Sequence, residues 1–185
     1  MHPEILSIAL FWFVTAYTPG PNNVVASYSG FNFGITKTIP HILGVTLGFT
    51  SLVIFLTIGL INVFKLFPII QISIKYLGTL FLIYLAYKIA SSTSSNEVQK
   101  ENPVKFLETF LFQYLNPKGV MVAIIVVSTY VELGENYINY ATQVVLLAFL
   151  FSATSITLWT FIGKFLRKFA TNDKFIKYFN YAISG

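Results

Sequence analysis

Five apolar stretches, each close to the ~20 residues that cross a lipid bilayer, run through this chain: roughly Ile5 to Phe31, His41 to Val63, Ile69 to Ile89, Phe106 to Val131 and Ala141 to Gly163. A further stretch begins near Lys174 and stops at Gly185, short of a crossing. In hydrocarbon every backbone N–H and C=O needs an internal partner, so a segment of this length has one form available to it, the helix. The expected fold class is all-α, a polytopic membrane protein. Composition agrees, with only 10% charged residues where a soluble domain carries about a quarter.

The first stretch is not expected to be a secretory signal, because His2-Pro3-Glu4 supplies no cation and no small-x-small cleavage site follows. The net charge of +5 raises the question of a nucleic-acid surface, and the distribution of the cations answers it. Lys37 lies in the first polar connection, Lys88, Lys100 and Lys105 flank the third, and Lys164, Arg167, Lys168, Lys174 and Lys177 follow the fifth span. Only Lys65 and Lys75 lie around the second connection, and the fourth, ELGEN, has none. Cations mark the cytoplasmic side of a membrane, so the N-terminus is expected outside and no nucleic acid is expected as a partner. The serine-rich SSTSSNEVQKENP reads as a solvated linker.

Two of the spans are interrupted. TPGPNN, Thr18 to Asn23, splits the first, and QYLNPKG, Gln113 to Gly119, splits the fourth. Superposing Pro117 on Pro19 gives an offset of 98 residues, and the same offset carries the second span onto the fifth and the third onto the unfinished last one. The chain therefore reads as a single membrane domain, 1–185, made of two three-helix repeats, 1–90 and 106–185, joined by a cytoplasmic linker at 91–105. Three is odd, so the second repeat enters from the other side. Inverted repeats with paired Pro/Gly breaks are the plan of many secondary transporters, with the substrate site at the breaks. On this count the protein has six transmembrane helices, and about ten further residues would bring the last to bilayer length.

Proline stops a helix but suits the first position of a new one. Thr18-Pro19, Gly20-Pro21 and Asn116-Pro117 each fit a cap followed by a first turn. Each break then begins a half-helix whose free N–H groups and positive dipole end lie at mid-depth, where an anion binds. Lys118 adds a full charge there, and a central lysine in a membrane is functional by default. Asn22, Asn23, Gln113 and Asn116 supply amides for freed carbonyls or for a polar ligand. A carboxylate on helix ends and an ammonium on carbonyl and amide oxygens describe a zwitterionic amino acid. The candidate substrate-binding residues are Pro19, Gly20, Pro21, Asn22, Asn23, Gln113, Asn116, Pro117 and Lys118, with Tyr17 and Tyr114 as cavity lining.

Each has a plainer alternative. Prolines kink membrane helices without any ligand, a lysine can snorkel from near a helix end, and tyrosines pack at interfaces. His41 reads as a cap or loop residue rather than a proton relay. Gly30/Gly34 and Gly44/Gly48 have the spacing of close helix packing. Phe11, Trp12 and Phe13 read as lipid contact, and Glu108 as solvated.

Enzyme signatures are missing. There are two distant histidines, no cysteine, and no HExxH, GxSxG or P-loop. No metal, no cofactor and no enzymatic activity are expected, and the lack of cysteine and scarcity of acids argue against a metal exporter.

TPGPNN with the following GFNFG, and NPKG opening the second half, resembles the LysE/RhtB family of small bacterial amino-acid exporters over essentially the whole chain. FQYLNPKGVMVAIIVVSTYV is most similar to its cysteine/O-acetylserine branch. The resemblance implies a secondary carrier of the bacterial cytoplasmic membrane that exports a small amino acid by alternating access, driven by the proton gradient. It carries over to Pro19, Gly20, Pro21, Asn22 and Asn23 and to Asn116, Pro117 and Lys118. Family members complete six helices, so a chain ending at Gly185 is expected either to be truncated or to have an unusual end. Competing classes are a passive small-solute channel and a non-transporting membrane partner subunit. Expected partners are the amino acid, the lipid bilayer and protons, and a homo-oligomer is left open.

Overall fold

The computed structural model describes residues 2–60, 103–131 and 134–168, together with the isolated positions Leu66, Ile69, Ser73, Leu80, Lys177 and Tyr181. Apart from these single positions, the third apolar stretch, the link from Lys65 to Pro68, most of the serine-rich linker and the segment from Lys174 fall outside the described residues. Within them the chain is all helix and turn, without strands: α1 Ile5–Tyr17, α2 Pro21–Phe55, a π-helical turn Leu56–Leu60, α3 Phe106–Leu115, α4 Pro117–Tyr130 and α5 Tyr137–Arg167.

α2 is not one rod. Gly34 has φ 77°, a conformation open to glycine but costly for a residue with a Cβ, and the chain reverses there. His41 Nε2 lies 3.3 Å from the Asn22 carbonyl, although nineteen residues of straight helix would separate them by about 28 Å. Ser29 and Thr38 share a hydroxyl hydrogen bond of 2.8 Å across the same hairpin. The polar connection expected from Asn32 to Pro40 is therefore helix on both sides of one residue. Thr38 braces the turn by donating to the Gly34 carbonyl at 2.8 Å. The arms of α2, 21–33 and 35–55, lie antiparallel.

α1 and the arm 21–33 are two helices joined through the Thr18–Gly20 break, and α3 and α4 form a second such broken unit, bent by 61° at Asn116. These two units are antiparallel and touch along their length. His2 Nε2 is 2.9 Å from the Tyr130 carbonyl at one end, Lys118 reaches Thr18 in the middle, and Asn22 pairs with Gln113 beyond it. Both break where the sequence predicts. The new helices start with proline at Pro21 and Pro117, so the structural offset is 96 residues rather than 98.

Helix packing here is close because glycine allows it. A Cβ on Gly30 would collide with the Thr160 carbonyl and one on Gly163 with the Ser27 carbonyl, so the arm 21–33 and α5 meet backbone to backbone. Gly44 and Gly48 do the same for the arm 35–55 and α3, where a Cβ would stand 2.7 Å from the Phe106 carbonyl and 2.6 Å from that of Phe110. Gly34, expected to belong to a packing pair, has nothing within 4 Å and is the hairpin turn instead.

The outer faces carry Leu6, Leu10 and Val14 of α1 and Leu146, Leu150, Phe161 and Phe165 of α5, all exposed. Such a surface suits lipid rather than water, and α5 and the bent α3–α4 pair are each apolar enough to cross a membrane. This is a membrane protein. α5 runs further than the expected stretch ending at Gly163, taking Lys164 and Arg167 of the basic connection into its last turn. Arg167 donates to the Asn32 carbonyl at 3.2 Å, which places the cations of α5 at the same end as the Gly34 hairpin.

Candidate functional site

A helix that stops inside a membrane leaves carbonyls without partners, and the first break shows where they go. Asn23 Nδ2 donates to both the Ala16 and Thr18 carbonyls at 2.9 Å. Ser155 of α5 adds a 2.7 Å bond to Ala16. Lys118 Nζ, from the other break, donates to the Thr18 carbonyl at 2.8 Å and approaches that of Pro19 at 3.4 Å. The break is thus closed by three side chains from three elements. The helix that follows is capped by Gly20 in extended backbone, with Pro21 at its first position and no side-chain cap hydrogen bond among the described residues.

The second break is tighter. Asn116 alone separates α3 from α4, its N–H bonded to the Phe112 carbonyl at 2.8 Å and its own carbonyl taking the Val120 N–H at 2.9 Å. Asn116 is a favoured capping residue, yet it makes no side-chain cap bond, and its buried Oδ1 has no partner among the described residues. Lys118 is half-buried, and among the described residues its hydrogen bonds go to carbonyls rather than carboxylates. Its charge is held by dipoles, with no carboxylate bonded to it among the described residues.

Both helix starts face one open cavity of about 540 Å³. Gly20, Pro21, Asn22 and Asn23 from the first break and Asn116, Lys118 and Gly119 from the second contribute to its wall. Trp12, Thr15 and Ala16 of α1, Phe49 of the arm 35–55, and Ser152 and Ser155 of α5 complete much of the remainder. Trp12 and Ala148 of the larger buried cluster, and Val45 and Ile156 of the smaller, also reach it. The cavity therefore lies where the two clusters come together.

Not every expected residue is in that wall. Pro19 and Pro117 shape the breaks without lining the cavity. Gln113 is fully buried away from it and exchanges two amide hydrogen bonds with Asn22, at 2.7 and 3.2 Å. Tyr17 donates to Thr154 at 2.9 Å and Tyr114 shares a 2.7 Å hydroxyl bond with Ser51, and neither lines the cavity. His41 departs from its expected capping role. It is buried in the arm 35–55, between Thr109 and the Asn22 carbonyl at 3.3 Å each, beside the Asn22–Gln113 pair. Glu108 does the capping at the start of α3, its carboxylate accepting from the Lys105 N–H at 3.3 Å.

Trp12 differs most from expectation. Read as lipid contact, it is 1% exposed and meets Phe49 edge to face, with ring centroids 5.5 Å apart. Its neighbour Phe13 does face outward. Ser152 and Ser155 also escape a reading of the motifs, although two hydroxyls three residues apart in an apolar helix are a legible sign of one wet face.

The LysE type translocator family matches residues 13–184. The cysteine/O-acetylserine efflux protein of Salmonella typhimurium (strain LT2) is 30% identical over 171 residues, covering 91% of this chain and 87% of that protein. The protein of the same description from Escherichia coli (strain K12) is 26% identical over 172 residues, with the same coverage. No solved structure matches the chain.

Proposed function

Because the chain belongs to the LysE type translocator family, we propose that it is a secondary carrier exporting a small amino acid or derivative, of the cysteine/O-acetylserine kind, across the bacterial cytoplasmic membrane. The observation that carries this reading is the contact between the breaks, in which Lys118 of one reaches the Thr18 carbonyl of the other at 2.8 Å beside a shared cavity. A substrate carboxylate arriving there meets an ammonium held, among the described residues, by carbonyls alone, and two helix starts that make no side-chain cap bond among those residues. Lys118 can turn from the carbonyls to the carboxylate because it has four rotatable carbons. The substrate ammonium then finds the freed carbonyls and amide oxygens. No bound metal or cofactor is needed for a step of this kind.

Alternating access requires that contacts on either side of the site open in turn. The Asn22–Gln113 amide pair, backed by His41 and Thr109, joins the two broken spans on the side of the Gly34 hairpin. The bond between His2 and the Tyr130 carbonyl joins them at the far end. The cations gathered at the hairpin end favour, by the positive-inside rule, a cytoplasmic hairpin end and an external N-terminus. The two antiparallel broken spans fit a pair of inverted repeats over 1–90 and 106–185, with proton coupling as the family's expected drive.

The test is efflux from cells or everted vesicles over a panel of amino acids that includes cysteine and O-acetylserine. Saturable export of at least one, lost in Lys118→Ala and in Pro117→Ala while the protein still inserts, supports the site. Normal export by both variants would place it elsewhere, and unsaturable flux would favour a channel.

A further inference from the structure

Three side-chain polar atoms are buried without a partner among the described residues: Trp12 Nε1, Thr46 Oγ1 and Asn116 Oδ1. Two of the three residues, Trp12 and Asn116, are in the cavity wall. They are chemically complementary, since an indole N–H can only donate and an amide oxygen can only accept. An unmade hydrogen bond at a buried site is a standing penalty, so a protein that keeps two of them around one cavity is built for a ligand that brings both partners.

Resting on the amino-acid reading of this cavity, we infer that Trp12 is a specificity-determining residue whose indole N–H takes a hydrogen-bond acceptor on the substrate's side chain, while Asn116 Oδ1 takes its ammonium. Position separates the roles. Asn116 caps the helix that carries Lys118, so an ammonium on its oxygen leaves the carboxylate within reach of the Lys118 charge. Trp12 is about one and a half turns of α1 before the break, about 9 Å along the axis from the Thr18 cap, and helical side chains lean further toward the N-terminus. The α-carboxylate held at the break therefore stays clear of the indole, whereas a four-atom side chain extends toward it. Neither unpaired atom reaches solvent in this conformation, so the wall moves to meet the substrate, and the flexible Lys118 chain packed against Gly20 is the element best able to give way. The ligand class is a small amino acid with an oxygen acceptor beyond its Cβ, of which an O-acyl serine is the fullest match.

The experiment compares O-acetylserine with norleucine, which has the same side-chain length and no acceptor, as competitors for export of radiolabelled O-acetylserine in proteoliposomes. In the wild type O-acetylserine should compete about fivefold or more better than norleucine. Trp12→Phe, which keeps a ring against Phe49 and removes the N–H, should raise the KM for O-acetylserine about five- to tenfold and leave norleucine within twofold. Equal losses for the two compounds, or no loss for either, would overturn the assignment. If the variant does not fold, the wild-type comparison decides alone, and parity there overturns it. A wild type that moves no amino acid at all sinks the export reading itself, whereas one that moves both compounds without preference sinks only the role given to Trp12.

Discussion

The arm 21–33 has two very different neighbours. Against α5 it packs through Gly30 and Gly163, so closely that neither glycine can carry a side chain. Against the second broken span, the arm and the Thr18–Gly20 break before it meet an amide, a lysine and a cavity, and the contacts there are hydrogen bonds from flexible side chains. A backbone-to-backbone seam has no slack and moves as one body, whereas a polar joint can exchange partners at little net cost. The arm 35–55 and α3 form a second seam of the first kind, through Gly44 and Gly48. Both seams join an element from 1–90 to one from 106–185. If the protein alternates between two openings, the bodies that move are these mixed pairs and not the two sequence repeats.

The strongest way to break this contrast is to put a methyl group in the seam. Gly163→Ala drives a Cβ into the Ser27 carbonyl, which is backbone and cannot swing aside. Overpacking typically costs about 1–3 kcal/mol and sometimes more, and this site is at the upper end because both partners are main chain. The variant should lose most of its folded yield in detergent, as read by size-exclusion profile and thermal unfolding. A wild-type profile would show that the seam has slack after all.

Lys118→Met comes next, and it acts on the joint alone. A charge-assisted hydrogen bond contributes about 1.5–3 kcal/mol, so the KM for an amino acid should rise by roughly 10- to 100-fold. Thermal stability should change little, because Asn23 still serves the Thr18 carbonyl at 2.9 Å. Transport and stability falling together would mean that Lys118 is structural.

Asn23→Ala should show the reverse pattern on a smaller scale. It removes the donor to both the Ala16 and Thr18 carbonyls, and Ser155 and Lys118 then hold them singly. A loss of about 1–2 kcal/mol in stability is expected, with a modest effect on KM, checked by unfolding and transport on the same preparation. A large KM change without loss of stability would make Asn23 a substrate contact instead.

Much of the joint was legible in the sequence and little of the seam was. Pro19, Pro21 and Pro117 announce the breaks because proline has few uses inside a membrane helix, and Lys118 stands out because a charge at mid-span is expensive. Gly163 gives no such sign, since the residues four away on either side are Trp159 and Arg167 and no small-residue pair is formed. Gly34 misleads in the opposite direction, being spaced from Gly30 like a packing pair although it makes a turn. Trp12 was illegible for a third reason. α1 is apolar on all sides, and when periodicity carries no polar face it cannot say which aromatic of Phe11, Trp12 and Phe13 points inward. Gln113 and Asn22 stand out in the sequence by their polarity, but polarity alone does not tell a ligand contact from a pair that satisfies itself.

Gly119→Ala is the finest test of the contrast, because it adds to the joint the same methyl group that the seam refuses. Its Cβ would meet Asn116 Nδ2 at 3.5 Å and the Phe49 ring at 3.6 Å, both ordinary contacts with side chains. In the first turn of α4, alanine is also the better helix former, by up to about 1 kcal/mol in a helix interior. The folded protein should be unchanged or slightly more stable, with KM altered by less than about threefold, a shift worth well under 1 kcal/mol. Glycine at 119 would then be permissive and glycine at 163 obligatory, although each lies between helices in the same membrane protein. Should Gly119→Ala unfold as readily as Gly163→Ala, the joint is packed as tightly as the seam, and a cavity that opens there loses its physical basis.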